Sequence, residues 1–483
     1  MIFSADLKRV LGTILGAGLL LRVMFLNSRQ LSTEELQQAI TVRSDSVAEM
    51  MARLRDSTSH PAPMDYFVQR VTVFLLGEAP WAARLHAVIF GVLSIWIFFR
   101  ISRLLFGERV ARYATIIFAF YPLNCHYSQE ARPYALFLLL ALASYEVLLL
   151  KLSGKMPGFA GWVALTGLLA STLYASFLGV AVLLAQFAGI VGSALWPGNP
   201  VVPAEDDISR PVSARWSHAA IYALVAAVAC ILFLPWMQFL KGDPSTSLEI
   251  GGIALVLRIF KELGDGSYPV AVLLLLGAVA GIRALLRHRR RQPFIWVVSW
   301  LASAVSILIV VEYWFGNFFG VRHVLFLAPP LILLAGYGLS FVGERLTILD
   351  RLPYRVSAPA IVYAALVIIS ALWIVQAHGR REPVDWQGTA RFLRENLHSG
   401  DTVTMPEIRE LIEYYDRRLA AFRAEDLDPG PGILQNPEVK RRYVVCLNEP
   451  RPESCVSFLS KAGKDSAWRR QEFHGLTVFT REK

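Results

Sequence analysis

The chain has 483 residues, 55% of them hydrophobic and only 18% charged, and its mean hydropathy is +0.45. A soluble domain of this length could not bury that much apolar surface, so the composition excludes one and marks a polytopic membrane protein. The formal net charge of +10 is no sign of a nucleic-acid partner. No basic stripe with interleaved aromatics accompanies it, and in membrane proteins excess Lys and Arg collects in cytoplasmic loops.

Apolar runs predict eleven spans, at 9–26, 83–99, 113–125, 134–150, 158–173, 175–195, 218–240, 268–286, 293–311, 324–342 and 357–376. Lys8 and Arg9 precede the first, which puts the N-terminus in the cytoplasm. The inner loops then carry Arg100, Arg103, Arg109 and Arg112, then Lys151 and Lys155, Arg210 and Arg215, Arg287 to Arg291, and Arg345, Arg351 and Arg355. The short outer loops carry far fewer, as the positive-inside rule requires. An odd number of spans leaves the C-terminal tail outside. The first run resembles a signal peptide, but Arg22 interrupts its end and no clear cleavage site follows, so it reads as an uncleaved anchor.

The predicted organisation is a transmembrane domain over 1–376 and an extracytoplasmic domain over 377–483. The first domain carries two long outer loops, 27–82 and 241–267, the second with an amphipathic middle, IALVLRIFKEL. The inner loop PGNPVVPAEDDISRPVSAR is Pro-rich and polar and reads as a flexible connector. In the tail, DWQGTARFLRENL has helical spacing with Ala390, Leu393 and Leu397 on one side. DTVTM, RRYVVCLN and GLTVFTR read as strands, and PEIRELIEYY and PESCVSFLSKA as helices, an α/β pattern. The tail has no glycine-rich phosphate loop, no Ser-His-Asp pattern and no metal-ligand spacing. Cys125 and Cys230 fall at or in spans and read as small apolar residues. Cys446 and Cys455 suit a bridge in an oxidising space, but simple packing of Cys446 inside its strand is the slightly favoured reading.

Four outward stretches concentrate polar chemistry. In STEELQQA, Glu34 and Glu35 follow Ser32 and Thr33, and the local pattern is a capping box. The competing reading is a general base above the bilayer. HYSQEARPYAL packs His126, Tyr127, Gln129, Glu130, Arg132 and Tyr134 between two apolar runs, with Pro133 opening the next span. The bland reading is a hydrated turn with interfacial tyrosines; the functional one is a pocket edge whose arginine binds phosphate. SHPAPMDYF contributes His60, Asp65 and Tyr66, and FGNFFGVRHVLFLAPP contributes Arg322 and His323.

These stretches carry a resemblance. HYSQEARPYAL, preceded by FAFYPLN, resembles the motif after the third span of bacterial family-39-like glycosyltransferases of the GT-C superfamily, which include protein mannosyltransferases and aminoarabinose transferases. In order, the acidic pair, HPAPMDYF, ARLHAVIFGVLSI with Arg84, FLPW, VRHVLFLAPP and EPVDWQGTARFL are similar to further family segments. The resemblance covers nearly the whole chain. It implies a GT-C-like fold of about eleven transmembrane helices with a small extracytoplasmic α/β domain, in the bacterial inner membrane. It implies a polyprenyl-phosphate sugar as donor, a lipid, glycan or protein hydroxyl as acceptor, membrane lipids as partners, and transfer with inversion outside the cytoplasm.

The resemblance carries the base to Glu34 and the second-loop carboxylate to Glu130. It assigns substrate binding to Glu35, His60, Asp65, Tyr66, Arg84, His126, Tyr127, Gln129, Arg132, Tyr134, Arg322 and His323. The sequence departs from the family at Glu34, where Asp is usual, at His323, where Tyr is usual, and at Ala62, where Pro is usual. A divalent metal fits this chemistry, but no ligand set in the sequence demands one and none is assigned. Two rivals stand beside the enzyme: a transport protein for the same lipids, and a non-catalytic scaffold in an envelope polysaccharide pathway. A transporter would show paired broken helices or inverted repeats, and no convincing repeat is present.

Overall fold

A computed structural model of the chain describes residues 5–24, 26–57, 62–196, 212–239, 253–315, 324–342, scattered positions between 365 and 376, 384–405, 408–422, 440–448, positions within 455–458, and 468–482. The protein divides into two compact units. One comprises Met1–Leu26 with Met51–Gln376, the other Asn27–Met50 with Ala377–Lys483.

The first unit is helical. α1 (Ala5–Val23) is followed, beyond the segment that joins the second unit, by α3 (Val47–Asp56), α4 (Met64–Leu76), α5 (Pro80–Phe106), α6 (Glu108–Phe120), α7 (Pro122–Tyr127), α8 (Tyr134–Leu152), α9 (Ala160–Ala175) and α10 (Gly179–Leu195). α11 (Val212–Met237), α12 (Ile253–Leu263), α13 (Tyr268–Arg287), α14 (Arg291–Phe315) and α15 (Ala328–Val342) complete it. Nine of the first ten predicted spans each coincide with one of these helices, and the third, 113–125, is divided between α6 and α7. The eleventh, 357–376, lies mostly outside the described residues. Five helices among the described residues are long and apolar enough to cross a bilayer: α5, α8, α11 from Trp216, α13 and α14 to Val310. At 1.5 Å per residue, about twenty residues match a hydrocarbon core roughly 30 Å thick. This is a membrane protein.

The third predicted span is not one helix. Pro122 lacks an N–H and crowds the residue before it, so Tyr121 is extended at φ −68°, ψ 124°, and α6 stops there. α7 is a single short turn of helix that begins on Pro122. The break places the HYSQEARPY stretch at the end of the hairpin that leads to α8.

The membrane helices pack through small residues. A Cβ on Gly281 of α13 would stand 2.0 Å from the Leu334 carbonyl oxygen of α15, and one on Gly277 would meet Ala335 Cβ at 2.9 Å. Gly338 approaches the Gly277 carbonyl in the same way. Lipid tails are as apolar as leucine, so helices gain little from hydrophobic burial against each other; close backbone approach supplies the dispersion contacts instead.

The second unit holds the tail from Ala377 and, in addition, the Asn27–Met50 part of the first outer loop. Its helix α2 (Thr33–Val42) packs against α17 (Arg409–Glu413). The side chain of Gln30 donates to the Val384 carbonyl and accepts from Gln387 N at 3.1 Å. Leu31 N donates to the Tyr415 hydroxyl at 3.1 Å, and the buried Trp386 indole donates to Thr33 Oγ1 at 3.3 Å. The Arg43 guanidinium lies 3.7 Å from the centre of the Tyr414 ring. Segments more than 350 residues apart thus satisfy each other's backbone and side-chain polar groups, which no local sequence signal records.

The tail itself is α/β as its sequence predicts. α16 (Trp386–Asn396) buries Ala390 and Leu393, as does Leu397 just past its end. The sheet runs β1 (Thr402–Thr404), β2 (Arg441–Leu447), β4 (Leu476–Glu482), β3 (Trp468–Phe473) in spatial order; β1 and β2 are parallel, the other pairs antiparallel. β3 (WRRQEF) is too polar to read as a strand. It is an edge strand whose exposed charges discourage pairing with another chain. The predicted helix PESCVSFLSKA falls largely outside the described residues.

Cys446 and Cys455 form a disulfide, Cα atoms 5.8 Å apart. Simple packing of Cys446 was the favoured expectation; the bridge joins it to a cluster with Val444 and Phe479. Closing a loop with a sequence separation of 9 restricts the unfolded chain by about 2.6 kcal/mol. Replacing both cysteines by alanine is expected to destabilise the tail by that amount, read as a lower melting temperature of the tail signal. An unchanged melting temperature would show that the bridge contributes nothing.

Candidate functional site

The polar side chains of the first unit converge on the turn between α7 and α8. Its platform is built from below. Arg22, at the end of α1, is fully buried rather than snorkelling to the surface. It donates from Nε to Ser128 Oγ at 3.1 Å and from Nη1 to the carbonyls of Gly18 and Ala119 at 3.0 Å. Ser128 approaches α5 so closely that a Cβ on Gly91 would lie 2.1 Å from its hydroxyl. The Gln129 amide reaches the carbonyls of Leu21, Arg22 and Met24 at 3.0–3.1 Å, which closes the C-terminal carbonyls of α1. Arg22, Asn124, Tyr127 and Ser128 line a cavity of ≈ 10 Å³, about the space of one water.

On that platform stands a row of three charged groups. His126 Nε2 meets Glu130 Oε1 at 2.9 Å, one helical turn away, and His126 Nδ1 meets both oxygens of Asp265 at 3.0 and 3.1 Å. A carboxylate only accepts hydrogen bonds, so an imidazole held by two of them carries a proton on each nitrogen. Burial opposes that charge, but the facing Asp265 and then Glu130 outweigh it and raise the His126 pKa well above 6.5. The ring also stacks on Tyr127, centroids 5.0 Å apart, and Tyr127 meets Tyr134 edge-on at 4.7 Å.

Beside this row, Arg132 hydrogen-bonds the Tyr66 hydroxyl and lies 5.8 Å from the Tyr134 ring centre. Burial pushes the Tyr66 phenol up to about 12, against the lowering effect of Arg132, so it is a neutral donor at any physiological pH. Asp65, in the first turn of α4, is fully buried and pairs with His86 of α5 at 3.3 Å. Arg84, also buried, donates to the Leu26 carbonyl at 3.0 Å.

In the second unit the capping box is present. Ser32 Oγ accepts from Glu35 N, and Glu35 Oε2 accepts from Ser32 N at 2.9 Å. Glu35 is buried in that role, while Glu34 is exposed on the first turn of α2. His60, Arg322 and His323 lie outside the described residues.

The structure therefore brings together Tyr66, His126, Tyr127, Glu130, Arg132 and Tyr134. Sequence reasoning missed Asp265, His86 and Arg22. Asp265 had a local signal, the GDG turn after an amphipathic segment; nothing local pointed to its partner 139 residues away. No group of three or more His, Cys, Asp or Glu suited to a metal occurs among the described residues.

Residues 59–199 match the family model described as dolichyl-phosphate-mannose-protein mannosyltransferase. Among curated proteins, none matches the chain by sequence. The architecture matches crystal structures of ArnT from Cupriavidus metallidurans. In the apo state the TM-score is 0.64 at 15% identity over 99% of this chain and 98% of that one. With undecaprenyl phosphate bound it is 0.60 at 14%, with the same coverage. The archaeal oligosaccharyltransferase AglB from Archaeoglobus fulgidus, in complex with an inhibitory peptide and a dolichol-phosphate, matches with a TM-score of 0.53 at 12% identity over 91% of this chain and 69% of that one. The chain thus has the fold of these ArnT and AglB structures, and its residues 59–199 resemble the mannosyltransferase family.

Proposed function

We propose that the chain is a glycosyltransferase of the bacterial inner membrane that moves a sugar from polyprenyl phosphate to a hydroxyl acceptor on the periplasmic side, with inversion. The observation that carries this reading is the row Asp265–His126–Glu130 with Arg132 beside it, set in a GT-C fold. An acceptor oxygen attacks the anomeric carbon, its proton passes to a carboxylate, and the lipid phosphate leaves. Glu34 is assigned the proton. Its exposure suits a group that must meet an incoming acceptor, and Glu35 already caps the helix. Glu130 is assigned to the sugar side of the reaction. Arg132 is assigned to the leaving phosphate, whose growing charge a guanidinium stabilises better than an ammonium. The lipid phosphate is a good leaving group by itself, so the chemistry needs no nucleotide site.

The test is turnover in proteoliposomes. Purified protein is given a panel of polyprenyl-phosphate sugars with membrane extract as acceptor source, and free polyprenyl phosphate is measured. Release from at least one donor, and none from nucleotide sugars, is expected. Inertness with the whole panel in protein that is folded by melting analysis would overturn the reading in favour of a transport or scaffold protein.

A further inference from the structure

Asp265 sits in a turn built to hold one side chain in place. Its φ is +52°, in the left-handed region, and Gly266 follows at +84°. A Cβ on Gly264 would fall 1.9 Å from the Ser267 carbonyl oxygen, so only glycine fits before it. The Asp265 side chain is buried, 5% exposed. Strain of this kind persists where surrounding contacts over-determine it, and it gathers at functional sites. The turn is docked independently of Asp265, because the Tyr121 hydroxyl donates to the Leu263 carbonyl.

We propose that Asp265 is a positioning residue for sugar transfer: by holding Nδ1 of His126 it fixes Nε2 against Glu130 and sets the orientation of the Glu130 carboxylate. The proposal rests on the reading of Glu130 given above. His126, in turn, is 26% exposed, and Asp265 behind it holds its Nδ1 at 3.0 Å and helps to raise its pKa well above 6.5. Glu262 of α12 also faces His126 and Asp265, with Arg258 and Lys261 beside Glu262; Tyr121 and Cys125 are the other titratable groups next to Asp265. A His with a raised pKa keeps its ion pairs fully below the ordinary imidazole range and loses them as pH rises through the raised value. The fixed orientation of Glu130 is therefore lost only as pH rises through that raised value.

The experiment uses Asp265→Asn, which keeps the shape and the tolerance for left-handed backbone and removes the charge. Full-length protein labelled with ¹³C-histidine is titrated by NMR, with the His126 signal assigned by its loss in His126→Gln. His126 is expected to stay an imidazolium through neutral pH in the wild type and to deprotonate at lower pH in Asp265→Asn. In turnover, kcat is expected to fall on the order of 10²-fold, the effect of misplacing a reacting group, with KM for the donor little changed. The alkaline limb of the kcat profile moves to lower pH, and Asp265→Glu restores part of the loss. A His126 titration unchanged in Asp265→Asn overturns the proposal whatever the activity. A shifted titration with an unchanged kcat profile overturns the positioning role. If the wild type turns over no donor, the transferase reading falls, and the titration alone decides whether Asp265 holds His126.

Discussion

Glu34→Gln is expected to lower donor turnover by about 10³-fold, the loss typical of removing a positioned general base. The variant isolates the chemistry because Glu34 has no part in the helix cap. Ser32 and Glu35 make both hydrogen bonds of the capping box, and they remain when Glu34 becomes an uncharged amide. The cost to α2 includes the lost attraction of one carboxylate for the helix N-terminus, about 0.3–1 kcal/mol. Melting behaviour therefore stays near that of the wild type while turnover collapses. Glu35→Gln is the matched control. Glutamine also serves at that position of a capping box, so the helix survives and turnover persists. If Glu34→Gln turns over normally and Glu35→Gln does not, the base assignment belongs one residue further on. If both are active, the proton goes to a group elsewhere.

The largest effect on stability is expected at Gly281. There α13 and α15 are in backbone contact, with the added Cβ only 2.0 Å from the Leu334 carbonyl oxygen. No rotamer relieves a clash with main chain, so Gly281→Leu must push the helices apart along Gly277, Ala335 and Gly338. Overpacking of this kind costs about 1–3 kcal/mol, and parted helices also lose their dispersion contacts. Thermal melting in detergent is expected to drop by several degrees. Gly167→Leu is the control, since a Cβ at Gly167 meets nothing within 4 Å, and it should melt within about 0.5 kcal/mol of the wild type. Equal melting of the two variants would show that α13 and α15 do not touch through their backbones.

The capping box shows how two readings of one stretch divide between neighbouring residues. STEEL reads as a helix cap and as a catalytic acid pair. The structure gives the cap to Glu35 and leaves Glu34 exposed, so the two readings do not compete. In HYSQEARPY the polar groups are hydrogen-bonded to one another and to distant parts of the chain. Its members nevertheless differ: Gln129 and Ser128 bind the end of α1 and its arginine, while His126 and Glu130 belong to the charged row.

The sequence by itself determined the membrane class, the positions of the apolar helices that match its first ten predicted runs, the α/β character of the tail and the stretch that carries the polar cluster. Those features follow from composition and short-range periodicity, which act over a few residues and are written in them. Only the tertiary structure decided that the segment before Met50 joins the tail's unit, that Cys446 and Cys455 are bridged, that a polar β3 completes the sheet edge, and that Asp265 stands behind His126. Each of these is a pairing of groups set by where the chain returns. A half-buried imidazolium, a Trp386 indole or an edge strand takes whatever partner folding brings to it. Neither end of such a pair announces the other, because its energy depends on distance in space and not on separation along the chain.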